Sequence, residues 1–206
     1  MKKIMLIFSL AFILTGCSIV RIDTRNIDNI LSVVLTKNNK LYNQVGQGYK
    51  YYLPGGVTYI DSDDTNDILY CNGNYYYLYI DTISYYYNTK TKYKEDDDKY
   101  YSKLIKEDNG FKYSGYLEIN QKDNLYYIEF VYNHAKIETI VDEGNLNNAI
   151  LNSSYILSTI KYNKNIIKLM LDDDYFTNKT GKYDDYNLKE DSGKFKLEKE
   201  NTMEES

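Results

Sequence analysis

The chain has 206 residues, with 30 acidic against 25 basic side chains and a formal net charge of −5. That balance argues against nucleic acid as a partner and against attraction to anionic lipid by charge alone. A single histidine excludes a multi-histidine zinc site, and 26 tyrosines with no tryptophan fit the coding bias of an AT-rich genome better than they fit any one function.

Lys2 and Lys3 precede an apolar run over residues 4–14, interrupted only by Ser9. Eleven residues are too few for a span of about 20 residues and suit the apolar region of a secretory signal. The run ends in Leu14-Thr15-Gly16-Cys17. This phrase resembles the lipobox of bacterial lipoproteins. The resemblance implies a signal peptide over residues 1–16, cleavage before Cys17, a diacylglyceryl thioether on the Cys17 thiol, and attachment to the extracytoplasmic face of the cell membrane. Two acyl chains suffice for stable anchoring where one does not. Loss of Lys2 and Lys3 would take the charge from −5 to −7. The remaining chain, roughly 190 residues, is long enough for one domain with a real core. With Cys17 acylated, Cys71 has no intramolecular partner, and its strand-like surroundings make it a small buried hydrophobe.

Residues 17–26 read as a tether. Ile27, Ile30, Leu31, Val34 and Leu35 recur at helical spacing, predicting a helix over 23–38 capped by Asp23 or Thr24. Residues 49–53 are aromatic and strand-like, Pro54-Gly55-Gly56 makes a turn, and 57–60 form a short strand. Residues 61–67 are polar and predict a loop. Residues 68–71 and 75–80 flank Asn72-Gly73-Asn74, the clearest hairpin signal in the chain. An extended stretch over 84–88 and a charged excursion over 90–99 follow. A second meander is predicted at 113–119, 126–132 and 136–141, with turns in 120–124 and at Asn133-His134. Leu146, Ile150, Ser153, Leu157 and Ile160 form a helical stripe, and 165–171 are apolar, a strand or a last helical turn. The domain is expected to span 27–173. Residues 174–206, rich in Lys, Asp, Glu and Asn, carry too little apolar surface to offset their ordering entropy and are expected to be a disordered acidic tail.

Helix, strands, then helix predicts an α+β domain, an antiparallel meander with an N-terminal and a C-terminal helix packed on it. The run Gly48-Tyr49-Lys50-Tyr51-Tyr52-Leu53-Pro54-Gly55-Gly56-Val57, with Ser158-Thr159-Ile160-Lys161-Tyr162 downstream, resembles PsbP-like and DcrB-like domains. The tryptophan usual after the proline in that family is replaced here by Val57 and Tyr59. The resemblance implies helices around an antiparallel sheet and an accessory role, with no catalytic residues.

Candidate chemistry is sparse. Asp61, Asp63 and Asp67 place acidic oxygens at intervals suited to calcium, but an EF-hand needs Gly at its sixth position and Glu at its twelfth, where this stretch has Asn66 and Asn72. His134 lies between predicted strands, as a turn histidine would. No Gly-x-Ser-x-Gly element, P-loop or dinucleotide-binding glycine pattern occurs. Glu118 and Glu129 stand on neighbouring predicted strands, read as exposed positions. Tyr75, Tyr77, Tyr79, Tyr85 and Tyr87 form a candidate interaction surface, because tyrosine combines an apolar ring with a polar tip. The expectation is a lipid-anchored, non-catalytic interaction or accessory module without cofactor, touching membrane lipid through Cys17 and an envelope protein through its domain. The alternative is a small-ligand or glycan-binding lipoprotein, and a carboxylate-driven hydrolase ranks last.

Overall fold

A computed structural model describes residues 22–63, 66–108 and 110–172. Cys17 and residues 174–206 lie outside these. Among the described residues the first helix, α1 (Ile27–Leu35), begins two or three residues later than a cap at Asp23 or Thr24 predicts. Asn26 is the cap, and its side chain accepts the Asn29 N–H at 3.1 Å. Asp23 instead closes a local turn on the Arg25 N–H at 3.0 Å. The helix turns Ile30, Leu31, Val34 and Leu35 into the core.

Three short strands make a small antiparallel sheet in the order β1 (Gln44–Gly46), β2 (Tyr49–Tyr51), β10 (Lys161–Tyr162). The main sheet has seven strands: β3 (Thr58–Asp63), β4 (Asn66–Cys71), β5 (Asn74–Ile80), β6 (Tyr101–Ile105), β7 (Gly115–Lys122), β8 (Leu125–Tyr132) and β9 (Ala135–Asp142). Their spatial order is β3-β4-β5-β9-β8-β7-β6, and every neighbouring pair is antiparallel. Asn72 and Gly73 turn the β4–β5 hairpin at φ 50° and 84°, and Asn133 and His134 turn β8 into β9 at φ 54° each. Asn is one of the few non-glycine residues that adopts this region readily, which is why both turns are legible in the sequence.

Three expectations are corrected. Residues 61–67 are not a loop: β3 runs to Asp63, β4 begins at Asn66, and a register shift between Tyr59 and Asp61 absorbs one extra residue. Residues 84–88 are not extended but belong to helix α2 (Thr82–Tyr87). Asp81 caps it by accepting the Ser84 N–H at 2.8 Å, and left-handed Asn88 ends it, so two caps override the strand preference of three tyrosines. Strand β6 was hidden because Lys103 interrupts its apolar pattern. Lys103 points inward and ion-pairs with Asp28 of α1 at 2.5 Å, beside the Tyr101 hydroxyl that donates to the same carboxylate at 2.9 Å.

Helix α3 (Glu143–Thr159) starts at Asp142, whose carboxylate accepts the Asn145 N–H at 2.9 Å. It lies across β8 and β9, and α1 lies against it. Leu146, Ala149, Ile150, Ile156 and Leu157 meet the inward residues Leu78, Leu117, Ile128, Phe130 and Ile137 in one core. Residues 165–171, left open between strand and helix, belong to α4 (Lys164–Asp172).

Asn133 is buried, and its amide donates to the carbonyls of Leu157 at 3.3 Å and Ile160 at 2.9 Å, tying the β8–β9 turn to the end of α3. Asn133→Ala removes both bonds and places a Cβ-bearing residue of poor left-handed propensity at φ 54°. We expect a loss of about 2–4 kcal/mol in urea unfolding. Asn133→Gly, which relieves only the backbone, should lose less; equal losses in the two variants would exclude the backbone contribution.

Candidate functional site: the outward face of the sheet

Alternation along the strands sends one set of side chains toward α1 and α3 and the other outward, where neither long helix packs. In the outward set the register places Ser102, Glu118, Glu129, Glu138, Tyr77 and Ile68 in one row across six strands. The glutamates are direct cross-strand partners, Glu118 opposite Glu129 and Glu129 opposite Glu138. Such pairs have Cβ atoms about 4.5–5.5 Å apart, and like charges so placed repel. A parallel row holds Leu104, Tyr116, Val131, Lys136, Tyr79 and Asn66.

Donors surround the carboxylates. The Tyr116 hydroxyl donates to Glu129 Oε1 at 2.5 Å. The Tyr93 ring, from the charged excursion, stacks on Tyr116 with centroids 4.0 Å apart, and its hydroxyl donates to Glu118 Oε2 at 3.0 Å. Asn120 Nδ2 donates to Glu118 Oε1 at 2.8 Å, and Lys99 Nζ lies 3.5 Å from the same oxygen. Lys136 Nζ is 3.0 Å from Glu138 Oε1 and 4.7 Å above the Tyr79 ring. Glu138 Oε2 is buried without a hydrogen-bond partner. Burial pushes the Glu138 carboxyl above the usual carboxylate range; Lys136 opposes that shift and neighbouring Glu129 adds to it. Beside Glu129 and Glu138, a cavity of about 20 Å³ reaches Asn120 and Tyr127. That volume accommodates one water.

Glu118 and Glu129 are therefore not freely exposed: Glu118 is buried and Glu129 half-buried. The sequence reading missed Glu138 altogether. A usable signal existed, because Glu118 and Glu129 are equidistant from the Asp123–Asn124 turn, and Glu129 and Glu138 from Asn133–His134. Glu129 and Glu138 border a water-sized void, with Glu118 one strand away in the same row, and that void is too small to admit the sugar ring a glycoside-hydrolysing pair acts on.

The other candidates fall in different places. Tyr75, Tyr77 and Tyr79 share the outward face, grading from exposed through half-buried to buried. Tyr85 and Tyr87 are on α2 and do not extend that strand. Tyr85 stacks on Tyr162 with centroids 4.1 Å apart and meets His134 edge-on at 5.8 Å, whereas Tyr87 is exposed. Asp61 and Asp67 take opposite faces of the β3–β4 hairpin, and Asp63 sits opposite Asn66 in register. Asp67 is a buried core residue whose carboxylate accepts from the Tyr51 hydroxyl at 2.7 Å and the Tyr49 hydroxyl at 3.3 Å. Asp61 and Asp67 therefore do not converge, and no group of three or more His, Cys, Asp or Glu suited to a metal ion occurs among the described residues. His134 is a turn residue whose carbonyl accepts from the Asp81 N–H and the Tyr162 hydroxyl. Burial lowers its imidazole pKa, with Asp81 and Glu107 acting the other way. Cys71 is buried, as expected, and its sulfur accepts from Asn152 Nδ2 at 3.6 Å.

Compared with known protein families, curated proteins and solved structures, the chain matches none.

Glu138 yields a pH prediction. A carboxyl that holds its proton more tightly folded than unfolded lowers stability as pH rises from its ordinary value, 4.5, through the raised folded value. Glu138→Gln cannot ionise. Its stability relative to the parent should therefore be higher at pH 7 than at pH 4 in matched urea titrations. Parallel pH profiles for parent and variant would show that Glu138 does not hold a raised pKa.

Proposed function

We propose that this protein is a cell-envelope lipoprotein, anchored through acylated Cys17, whose domain is a non-catalytic interaction module. The observation that carries the docking part is the outward face of the main sheet. There Tyr75 and Tyr77 stand beside a register-aligned glutamate row, and no long helix covers it among the described residues. Three carboxylates against Lys99 and Lys136 leave the face net negative, so the matching partner surface is basic, with tyrosine rings supplying apolar contact area. The likeness of Gly48 to Val57 to PsbP-like and DcrB-like openings supports an accessory role for the domain.

The anchor reading rests on the Lys2-Lys3, apolar and Leu14-Thr15-Gly16-Cys17 succession. No helix among the described residues is long and apolar enough to cross a membrane, and a lipid anchor requires none. The alternative, a small-ligand or glycan receptor, would be favoured by tyrosines enclosing a pocket. The outward tyrosines of β5 instead follow one another along a single sheet face, from exposed Tyr75 to buried Tyr79.

Two outcomes are expected. Cys17→Ser should leave the protein unprocessed or release it from the membrane fraction; a variant that still fractionates as a mature membrane protein would remove the anchor reading. Crosslinking in intact cells, followed by capture and mass spectrometry, should enrich one polypeptide, and Glu129→Lys at matched expression should reduce that enrichment at least roughly tenfold. No enrichment, or enrichment indifferent to Glu129→Lys, would remove the docking reading.

A further inference from the structure

The chain is acidic overall, yet one end of the domain concentrates positive charge. Lys50 and Lys161 are direct partners across β2 and β10. Lys164 opens α4 one residue past Asn163. Together with Val45 and Gly48 these residues line a cleft of about 410 Å³, within the size range of small-ligand sites. None of the three lysines forms an ion pair among the described residues. Lys50 Nζ rests 3.8 Å above the Tyr42 ring and Lys164 Nζ 5.5 Å from the Tyr86 ring, so aromatic faces stand where carboxylates would be expected. Lys161 loses basicity, first through burial and then through the charges of Lys50, Lys112 and Lys40, which places four lysines within electrostatic reach of one another.

Two of these placements work against the folded chain. Like charges directly opposite in a sheet repel. A lysine in the first turn of a helix opposes the positive end of the helix dipole, and the first turn of α4 holds no acidic residue. The backbone around them is nonetheless firmly set. The Asn163 N–H donates to the Gly48 carbonyl at 2.8 Å, and the Asn163 side chain accepts from the Asn165 and Ile166 N–H groups at 3.2 and 3.3 Å. Gly48 has φ +83°, and a Cβ there would come within 2.9 Å of Ile167 Cγ1, so only glycine lets α4 seat this close to β2. Because the Asn163 cap occupies the amides of Asn165 and Ile166, recognition falls to the lysine ammonium groups.

We propose that this cleft binds a phosphate-bearing anion, held by Lys50, Lys161 and Lys164. Several lysine point charges around one open cleft match a multiply charged phosphate group better than a single carboxylate. A bound anion would also relieve both repulsions. The same chemistry is offered by a soluble phosphate compound and by the headgroup of an anionic phospholipid.

The test uses the processed-length chain from residue 17 carrying Cys17→Ser, so that acylation plays no part. One arm titrates it with inorganic pyrophosphate by calorimetry. The other measures cosedimentation with phosphatidylglycerol vesicles against phosphatidylcholine vesicles. Binding to pyrophosphate assigns a soluble phosphate ligand, and binding to phosphatidylglycerol vesicles alone assigns a headgroup. In either arm the Lys50→Gln/Lys161→Gln variant should bind at least roughly tenfold more weakly. Lys122→Gln, at the exposed far end of β7, should bind as the parent does. Binding to neither probe, or equal binding by parent and double variant, overturns the proposal. Without ligand the Lys161→Gln single variant should melt no lower than the parent, since it loses a like-charge contact with Lys50. A lower melting temperature would make Lys161 structural and would also overturn the proposal.

Discussion

Asn133 joins parts of the molecule that would otherwise meet only through apolar surface. Its backbone, with that of His134, reverses β8 into β9, while its amide holds the carbonyls at the C-terminal end of α3. Tyr162 of β10 returns to the same place and donates its hydroxyl to the carbonyls of Asn133 and His134, at 2.8 Å each. The Asp81 N–H, just before α2, reaches the His134 carbonyl at 2.9 Å. One two-residue turn thus coordinates the main sheet, the long helix, the small sheet and α2. Buried backbone polar groups need partners, and here they are exchanged with three separate places, the end of α3, β10 and the cap of α2. Tyr162 stacked on Tyr85 closes the arrangement from above.

That turn also determines what the outward face displays. With period-two alternation, a shift of one residue would invert every side chain of β9. The buried turn holds the register in which Ile137 and Val141 enter the core and Glu138 joins Glu129 outside. A row of carboxylates in the middle of a sheet is tolerated because Tyr93, Tyr116, Asn120 and two lysines supply donors to it. Asp67 shows the inward counterpart: a carboxylate enters the core only with the Tyr49 and Tyr51 hydroxyls beside it. Tyr49, Tyr51, Tyr93, Tyr101 and Tyr116, whatever their origin in codon usage, therefore act here as hydrogen-bond donors to acids.

The elements legible in the sequence were those governed by local rules. Asn72-Gly73 and Asn133-His134 announce their turns, and the stripe from Leu146 to Leu157 announces α3. What stayed hidden depended on partners distant in the chain. Residues 61–67 read as a loop because the donors that let Asp67 enter the core come from β2. Lys103 disguised β6 because its counter-charge, Asp28, lies on α1. The strand preference of Tyr85, Tyr86 and Tyr87 masked α2, where the capping residues Asp81 and Asn88 decide. The glutamate row needed both exact turn positions at once, and the turn before β8 could be placed in the sequence only to within several residues. The lysine cleft is invisible without β10, a two-residue strand whose pairing with β2 spans more than a hundred positions.

Strand order has a consequence for how the chain reaches this state. Strands β3 to β5 form one consecutive meander and β6 to β9 another, each closed by neighbours in sequence. Only the β5–β9 seam joins them, pairing Tyr76 with Thr139 and Ile80 with Ala135 across the whole second meander. Local hairpins form quickly, whereas a seam of such long sequence separation carries the entropy of a large closed loop and forms late. Until it closes, each meander presents an unpaired edge, tyrosine-rich on β5 and largely aliphatic on β9, and the complementary edge of a second copy is as good a template as its own. Exchange of meanders between two chains is thus the characteristic misassembly that this topology invites, and during synthesis the chain remains open to it until β9 has emerged.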